Sequence, residues 1–267
     1  MQRVFLTGAS AGIGRASSLA LVTKGHEVWG TSRNIARLPK AERFHPIALD
    51  LNDNASVERA FAQACSEAGR FHVVINNAGS GHFGPAELLS GEEIRTQFQV
   101  LLFSHIHLMQ LAIAHLRANG GGTIINVTSL ASRLPVPFMA AYNAAKAAMA
   151  AFTMSTQLEL SGSHIHLIDL QPADISTDFN DAITLQDHGP NYREKTATAW
   201  KIVDHNMKAA PAPEMVAREI VRIVQSETTA PRLTVGGWFQ AQVAPLIFRF
   251  LPQRVRLWGL RRYYKLP

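Results

Sequence analysis

Two side chains able to move a proton stand four residues apart in the stretch AAYNAAKAAMAAF, Ala140–Phe152: the phenol of Tyr142 and the ammonium of Lys146. Residues i and i+4 of an α-helix share a face, so the two groups meet on one side of an alanine-rich rod. A free tyrosine titrates near 10, and an ammonium beside it favours the phenolate. That makes the phenol a candidate acid/base for a substrate oxygen near neutral pH. Taken alone, the pair also fits an amphipathic helix with a snorkelling lysine.

A second stretch with chemistry in it is TGASAGIG, Thr7–Gly14, with glycines at Gly8, Gly12 and Gly14. Glycines in a strand-to-helix turn let the backbone approach a diphosphate, and the following helix N-terminus faces the negative charge. The next strand ends Thr31-Ser32-Arg33. Dinucleotide folds usually place Asp or Glu there for the ribose 2′-hydroxyl of NAD. Here no carboxylate stands at the strand end, and the Arg33 guanidinium can pair bidentately with a 2′-phosphate, which points to NADP(H).

Positioning these groups takes a regular scaffold, and short apolar runs alternate with helical patterns along the chain. Strands are predicted at Val4–Gly8, Glu27–Arg33, Phe44–Leu51, Val73–Gly79, Thr123–Ser129, His166–Asp174 and Arg232–Gly236. Helices are predicted after the glycine turn to Lys24, near Ser56–Ala68, and over Glu92–Leu116, Tyr142–Leu160 and Glu214–Gln225. Alternation with apolar strands means a parallel sheet covered on both faces, and right-handed crossovers make it doubly wound. A barrel would show eight regular strand–helix units, which are not apparent.

Composition narrows the function classes. The chain has 267 residues, 47% of them hydrophobic, enough for one large α/β core. A single cysteine, Cys65, leaves no intramolecular disulfide and fits a reducing compartment. The N-terminus lacks the pattern of a signal peptide, and no run of 18 apolar residues is present, so a cytoplasmic protein without a spanning helix is expected. The net charge of +6 is unevenly placed. After Glu227 the chain carries seven basic residues and no carboxylate, so the preceding 227 residues net −1. A uniformly basic nucleic-acid binder would not look like this, and no nucleic-acid partner is expected. His105/His107 and His164/His166 have the look of metal pairs, but no Cys or carboxylate cluster joins them, so no metal is expected.

TGASAGIG, NNAG (Asn76–Gly79), Ser129, YNAAK (Tyr142–Lys146) and PADIST (Pro172–Thr177) resemble the short-chain dehydrogenase/reductase family in order and spacing, over about Arg3 to Val235. The resemblance implies a single doubly wound Rossmann domain with a seven-stranded parallel sheet, a homodimer or homotetramer, and nicotinamide-dependent alcohol/carbonyl interconversion. It further implies Tyr142 as acid/base, Ser129 as partner of the substrate oxygen, and Lys146 as tuner of the tyrosine and anchor of the nicotinamide ribose. Gly8, Ser10, Ile13 and Gly14 match the diphosphate turn. Ser32 and Arg33 lie at the adenosine ribose, and Asp50 and Leu51 match the adenine contact. Asn77, Ala78 and Gly79 match the adenosine-side wall. Pro172, Ile175 and Thr177 match the loop closing on the nicotinamide amide.

Two positions depart from the family pattern. Ala173 replaces the usual glycine after Pro172, which strains the backbone if a positive φ is needed there. Leu101 stands where the family usually has an asparagine that bends its helix and positions a water linking the lysine to solvent. Leu101 cannot bond water through its side chain, which leaves its main-chain carbonyl as the alternative. His105, one turn on, is a candidate relay or simply a helix histidine.

Residues 1–237 are therefore expected to form the NADP(H)-binding domain, with a substrate lid at about 178–212 and a basic, aromatic extension at 238–267. The lid carries Phe179, Ile183, Leu185, Tyr192, Trp200, Ile202, Val203 and Met207, which suits a hydrophobic carbonyl or alcohol substrate such as a steroid, retinoid or long acyl chain, or packing of the lid on its own domain. The extension interleaves aromatics with arginines. It could lie on an anionic membrane surface, cap the substrate entrance, pack on a partner subunit or take a phosphorylated acyl carrier. The rival to an enzyme is a non-catalytic NADP(H)-binding or membrane-associated regulator.

Overall fold

The computed structural model describes residues 1–177, 183–185, 189–226 and 228–267. Phe179, expected in the lid, lies outside the described residues. The first half runs β1 (Arg3–Leu6), α1 (Gly12–Thr23), β2 (Glu27–Ser32), β3 (Phe44–Ala48), α2 (Asn54–Ala68), β4 (Val73–Asn76), β5 (Gly81–Phe83), α3 (Gly91–Phe98) and α4 (Ser104–Ala118). The second half runs β6 (Gly122–Val127), α5 (Ala140–Glu159), β7 (Ile165–Pro172), β8 (Ile183–Leu185), α6 (Gly189–Ala209), α7 (Glu214–Gln225), β9 (Arg232–Val235), α8 (Ala244–Phe250) and α9 (Gln253–Tyr263).

Seven strands form one parallel sheet in the order β3-β2-β1-β4-β6-β7-β9. The order reverses between β1 and β4, and ligands of such sheets bind in the crevice at that switch point. Because side chains alternate across a strand, Val4 and Leu6 enter the layer shared with Ile220 and Val221 of α7. Phe5 enters the opposite layer, with Phe61 of α2 and Leu108 and Met109 of α4. The α7 sequence EMVAREIVRIVQ buries Val216, Ala217, Ile220, Val221, Ile223 and Val224, an apolar stripe at helical spacing.

The sheet has the predicted strands, with shorter ends. β6 stops at Val127, so Thr128 and Ser129 leave the ladder, and β7 stops at Pro172. A second, two-stranded sheet pairs β5 with β8. The sequence gives no sign of it, because three-residue strands carry too few alternations to read. The helix expected over Glu92–Leu116 is interrupted by a π-helical turn. A capping box between Ser90 and Glu93 starts α3, and a π-helical turn at Gln99–Phe103 separates it from α4. This 28-residue stretch, Gly91–Ala118, is apolar enough by length and composition to cross a membrane. Its residues Leu108, Met109, Ala112 and Leu116 are fully buried against the sheet, so it serves as a core helix.

Candidate active site

The glycine turn is shaped to hold an anion. Gly8 and Gly12 have φ of +75° and +48°, conformations that a side chain disfavours. A Cβ on Gly14 would lie 2.1 Å from the Gly8 carbonyl oxygen and 2.5 Å from Asn77 Nδ2. The turn is tied to the neighbouring strands: Thr7 N donates to the Ile75 carbonyl at 3.0 Å and Ala9 N to the Thr31 carbonyl at 2.9 Å. Thr7 Oγ1 accepts from the amides of Asn77 and Ala78 at 2.9 and 3.1 Å, and Asn77 Nδ2 donates to the Thr7 carbonyl at 2.9 Å. Helix α1 begins without a side-chain cap and without an acid in its first turn. Its first N–H groups are therefore left to face a cavity of about 1290 Å³ lined by Ser10, Gly12 and Ile13.

That cavity spans the switch point of the sheet. All seventeen residues singled out from the sequence line it, from Gly8, Ser10, Ile13 and Gly14 through Ser32, Arg33, Asp50, Leu51, Asn77, Ala78 and Gly79 to Ser129, Tyr142, Lys146, Pro172, Ile175 and Thr177. At the adenosine end Arg33 is joined by Arg37, which the sequence reading missed. Asp50 Oδ1 accepts from Asn52 N and Nδ2 at 3.0 and 2.9 Å, so that carboxylate is already engaged. The uncapped helix, the cradle that a Cβ on Gly14 would fill and the paired guanidinium groups all fit a phosphorylated dinucleotide.

At the other end Ser129 follows β6 in an extended conformation, and its Oγ accepts from Ala131 N at 3.1 Å. Its hydroxyl also shares a hydrogen bond with the Tyr142 phenol. Lys146, one turn further along α5, is 3% exposed and donates to the Val127 carbonyl at 2.9 Å. Its Nζ lies 6.0 Å from the Tyr142 ring centre. Burial pushes the Lys146 ammonium down to about 8, against the opposing pull of Asp169. Asp169 is itself buried and accepts from Thr128 Oγ1, Gln171 Nε2 and Arg232 Nε at 2.5, 2.8 and 2.8 Å.

The expectation that Lys146 draws Tyr142 towards phenolate is corrected by this geometry. Burial raises the phenol above its ordinary value, the Ser129 hydrogen bond opposes that, and the Asp174 charge adds to it. The Lys146 ammonium is turned to the Val127 carbonyl. Without a cationic ligand beside it, Tyr142 is a protonated acid.

The two departures resolve differently. Ala173 takes no positive φ, and its amide donates to the Val235 carbonyl at 2.8 Å, so no strain arises. Leu101 is fully buried in the π-helical turn, its Cδ2 3.1 Å from where a Cβ on Gly79 would stand. The π-helical turn at Gln99–Phe103 is what the structure places at this position. His105 is buried, pushed down to about 3 by burial and the Lys146 charge, and so is neutral at physiological pH. Asn76 Nδ2 occupies its carbonyl at 3.2 Å. Among the described residues no group of three or more His, Cys, Asp or Glu converges as a metal site would.

The chain beyond β9 folds over the cavity mouth. A π-helical turn at Phe239–Val243, α8 and α9 contribute Gln240, Ile247, Phe248, Leu251, Leu260 and Tyr264 to the wall. Tyr264 is 8% exposed and packs with Phe83, Met139, Ile183, Ala199 and Val203. Tyr263 OH accepts from Asn206 Nδ2 of α6 at 2.8 Å. Phe138, just before α5, holds a φ of +63°, a strained value for an aromatic residue, with its ring 5.6 Å from that of Phe83. Capping of the substrate entrance is one reading of the extension, but the sequence does not single out Gln240 and Tyr264 within it.

Comparison with known proteins agrees with this geometry. The model of the short chain dehydrogenase family matches residues 2–188, and the chain belongs to that family. It is an oxidoreductase of the type that acts on CH–OH groups with a nicotinamide cofactor. It is 29% identical over 266 residues, 98% of each chain, to 3-ketodihydrosphingosine reductase of Bacteroides thetaiotaomicron. It is 32% identical over 178 residues to NADPH-dependent 1-acyldihydroxyacetone phosphate reductase of Schizosaccharomyces pombe, covering 65% of this chain and 60% of that one. A short-chain dehydrogenase from Streptomyces avermitilis superposes with a TM-score of 0.81 at 26% identity, covering 99% of this chain and 94% of that one.

Proposed function

We propose that the protein is an NADP(H)-dependent reductase of a ketone on a long-chain, hydrophobic molecule. The observation that carries this reading is the continuity of one cavity from Arg33 and Arg37, past Tyr142, into a chamber walled by Met139, Ile183, Val203, Phe248 and Leu260. Two guanidinium groups at the adenosine end suit a 2′-phosphate. The apolar chamber suits an alkyl chain rather than a sugar. The names of two relatives, a 3-ketodihydrosphingosine reductase and an NADPH-dependent 1-acyldihydroxyacetone phosphate reductase, point the same way.

When bound, the dinucleotide supplies the hydride. Ser129 holds the substrate oxygen by a hydrogen bond, and Tyr142, protonated in its buried setting, delivers the proton to that oxygen as the carbonyl carbon is reduced. Lys146 is the positive charge nearest the phenolate so formed, and its depressed pKa lets it return a proton near neutral pH.

The region of β8 and α6 acts as the lid, and residues 238–267 as a cap that also faces the membrane. Trp238, Phe239, Leu246, Phe250, Leu257 and Trp258 are exposed there among Arg249, Arg254, Arg261 and Arg262, and residues 228–267 themselves carry no carboxylate. An anionic lipid surface complements both features and is where a long-chain substrate resides. Tyr142→Phe tests the catalytic reading: turnover should fall by roughly 100-fold or more while NADPH affinity is retained. Equal turnover by the variant would remove Tyr142 from the mechanism.

A further inference from the structure

Asp50 and Asp174 are the only carboxylates lining the cavity among the described residues, and they stand at opposite ends of it. Asp50 is engaged by Asn52. Asp174 is different. It follows β7 in a loop pinned on both sides, by Ala173 N on the Val235 carbonyl and by Ser176 N on the Pro211 carbonyl at 2.9 Å. Its Oδ2 accepts from Gln240 Nε2 at 2.7 Å, and no cation pairs with it among the described residues. Burial raises the phenols of Tyr142, Tyr263 and Tyr264, and the Asp174 charge adds to the rise of all three. The same cavity is lined by the apolar side chains of Met139, Val203, Met207 and Leu260.

A half-buried carboxylate with one neutral donor is costly, and such groups are normally paired with a cation. Burial raises the Asp174 carboxyl above its ordinary value, and the Gln240 hydrogen bond opposes that rise. A carboxylate kept beside the proton donor, at the head of an apolar chamber, is the complement of a ligand with a cationic group close to its reacting carbonyl and a long alkyl chain. Taking the reductase reading above as its basis, we infer that Asp174 binds a protonated amine on the carbon next to the carbonyl, and that the substrate class is the long-chain 2-amino ketones. The pairing is non-covalent, and the reduction itself is unchanged by it. Gln240 is a positioning residue that orients the carboxylate from the cap, so the cap must be seated for the amine to be read.

The test uses the full chain, with NADPH and three probes of equal chain length: 3-ketodihydrosphingosine, its N-acetyl derivative and a long-chain 3-ketone without nitrogen. The wild type should prefer the free amine over the N-acetyl compound in kcat/KM by roughly 10- to 100-fold, the range of a hydrogen bond to a charged group. Asp174→Asn should compress that preference to within about threefold by the same reasoning. Binding of sphinganine and N-acetylsphinganine to the protein with NADP⁺, followed by fluorescence, supplies a readout independent of turnover and shows that the variant is folded. If no ketone turns over yet sphinganine binds tighter than its N-acetyl form only when Asp174 is present, the reductase reading fails and the amine site stands. Equal binding of the two amphiphiles by the wild type overturns the inference. So does an Asp174→Asn variant that weakens NADP⁺ relative to NADPH with the amine preference intact, because the carboxylate would then be serving the oxidised nicotinamide.

Discussion

Replacing Arg33 by alanine should weaken NADPH binding by roughly 10- to 100-fold and leave NADH binding within about twofold. Arg33 is exposed at the cavity rim beyond the end of β2, so its attraction to a phosphate is partly screened. A pair of unit charges at about 4 Å is worth about 1 kcal/mol in water and about 4 kcal/mol near a protein surface. A charge-assisted hydrogen bond contributes about 1.5–3 kcal/mol net, and the exposure of Arg33 favours the lower half of that range. Arg37 lines the same end of the cavity and retains part of the attraction, so the double replacement with Arg37→Ala should lose more than the single one. The assay is a fluorescence titration of each variant with NADPH and NADH at low and high salt. The difference between cofactors should shrink as salt rises, because the contact is solvent-exposed. An equal loss for both cofactors, or no loss for either, would refute the assignment of Arg33 to the 2′-phosphate.

Three further outcomes follow from the geometry. Gly14→Ala puts a methyl against the Gly8 carbonyl, and overpacking of about 1–3 kcal/mol should lower Tm by several degrees and abolish saturable NADPH binding, as read by thermal melts with and without cofactor. Lys146 titrates near 8 in the folded protein and above 10 when unfolded, so between those values the unfolded chain binds more protons and stability should rise with pH. The gain amounts to about 3 kcal/mol, and Lys146→Met should remove it, so urea melts of the two proteins at pH 7 and above should diverge in slope, and parallel curves would contradict the shift. Trp258→Asp combined with Phe250→Asp should release the protein from phosphatidylserine vesicles in a sedimentation assay while leaving neutral vesicles unbound as before; retention by the anionic vesicles would show that the extension packs elsewhere.

The parts of this site legible in the sequence are those in which local chemistry dictates local conformation. Gly8, Gly12 and Gly14 announce a turn because only glycine tolerates the φ values and contacts found there. Tyr142 and Lys146 meet because helical spacing requires it, and the alternation of apolar runs gives the order of the sheet's layers. What the sequence concealed depends on contacts between distant segments. The phenol of Tyr142 was expected to be acidified by Lys146, but the ammonium is committed to Val127, far back in the chain, and burial dominates. Asp174 sits within the PADIST motif, yet its isolation shows only once Gln240 and Tyr264 arrive from the far end of the chain. The π-helical turn around Leu101 is not specified by the residue types alone.

The most direct measurement is the rate of NADPH oxidation by the purified protein with 3-ketodihydrosphingosine in mixed micelles, with NADH in parallel and Tyr142→Phe as the control. The account predicts turnover with NADPH well above that with NADH, lost in the variant. Reduction confined to short polar carbonyls, or a rate indifferent to the loss of the Tyr142 hydroxyl, would contradict it.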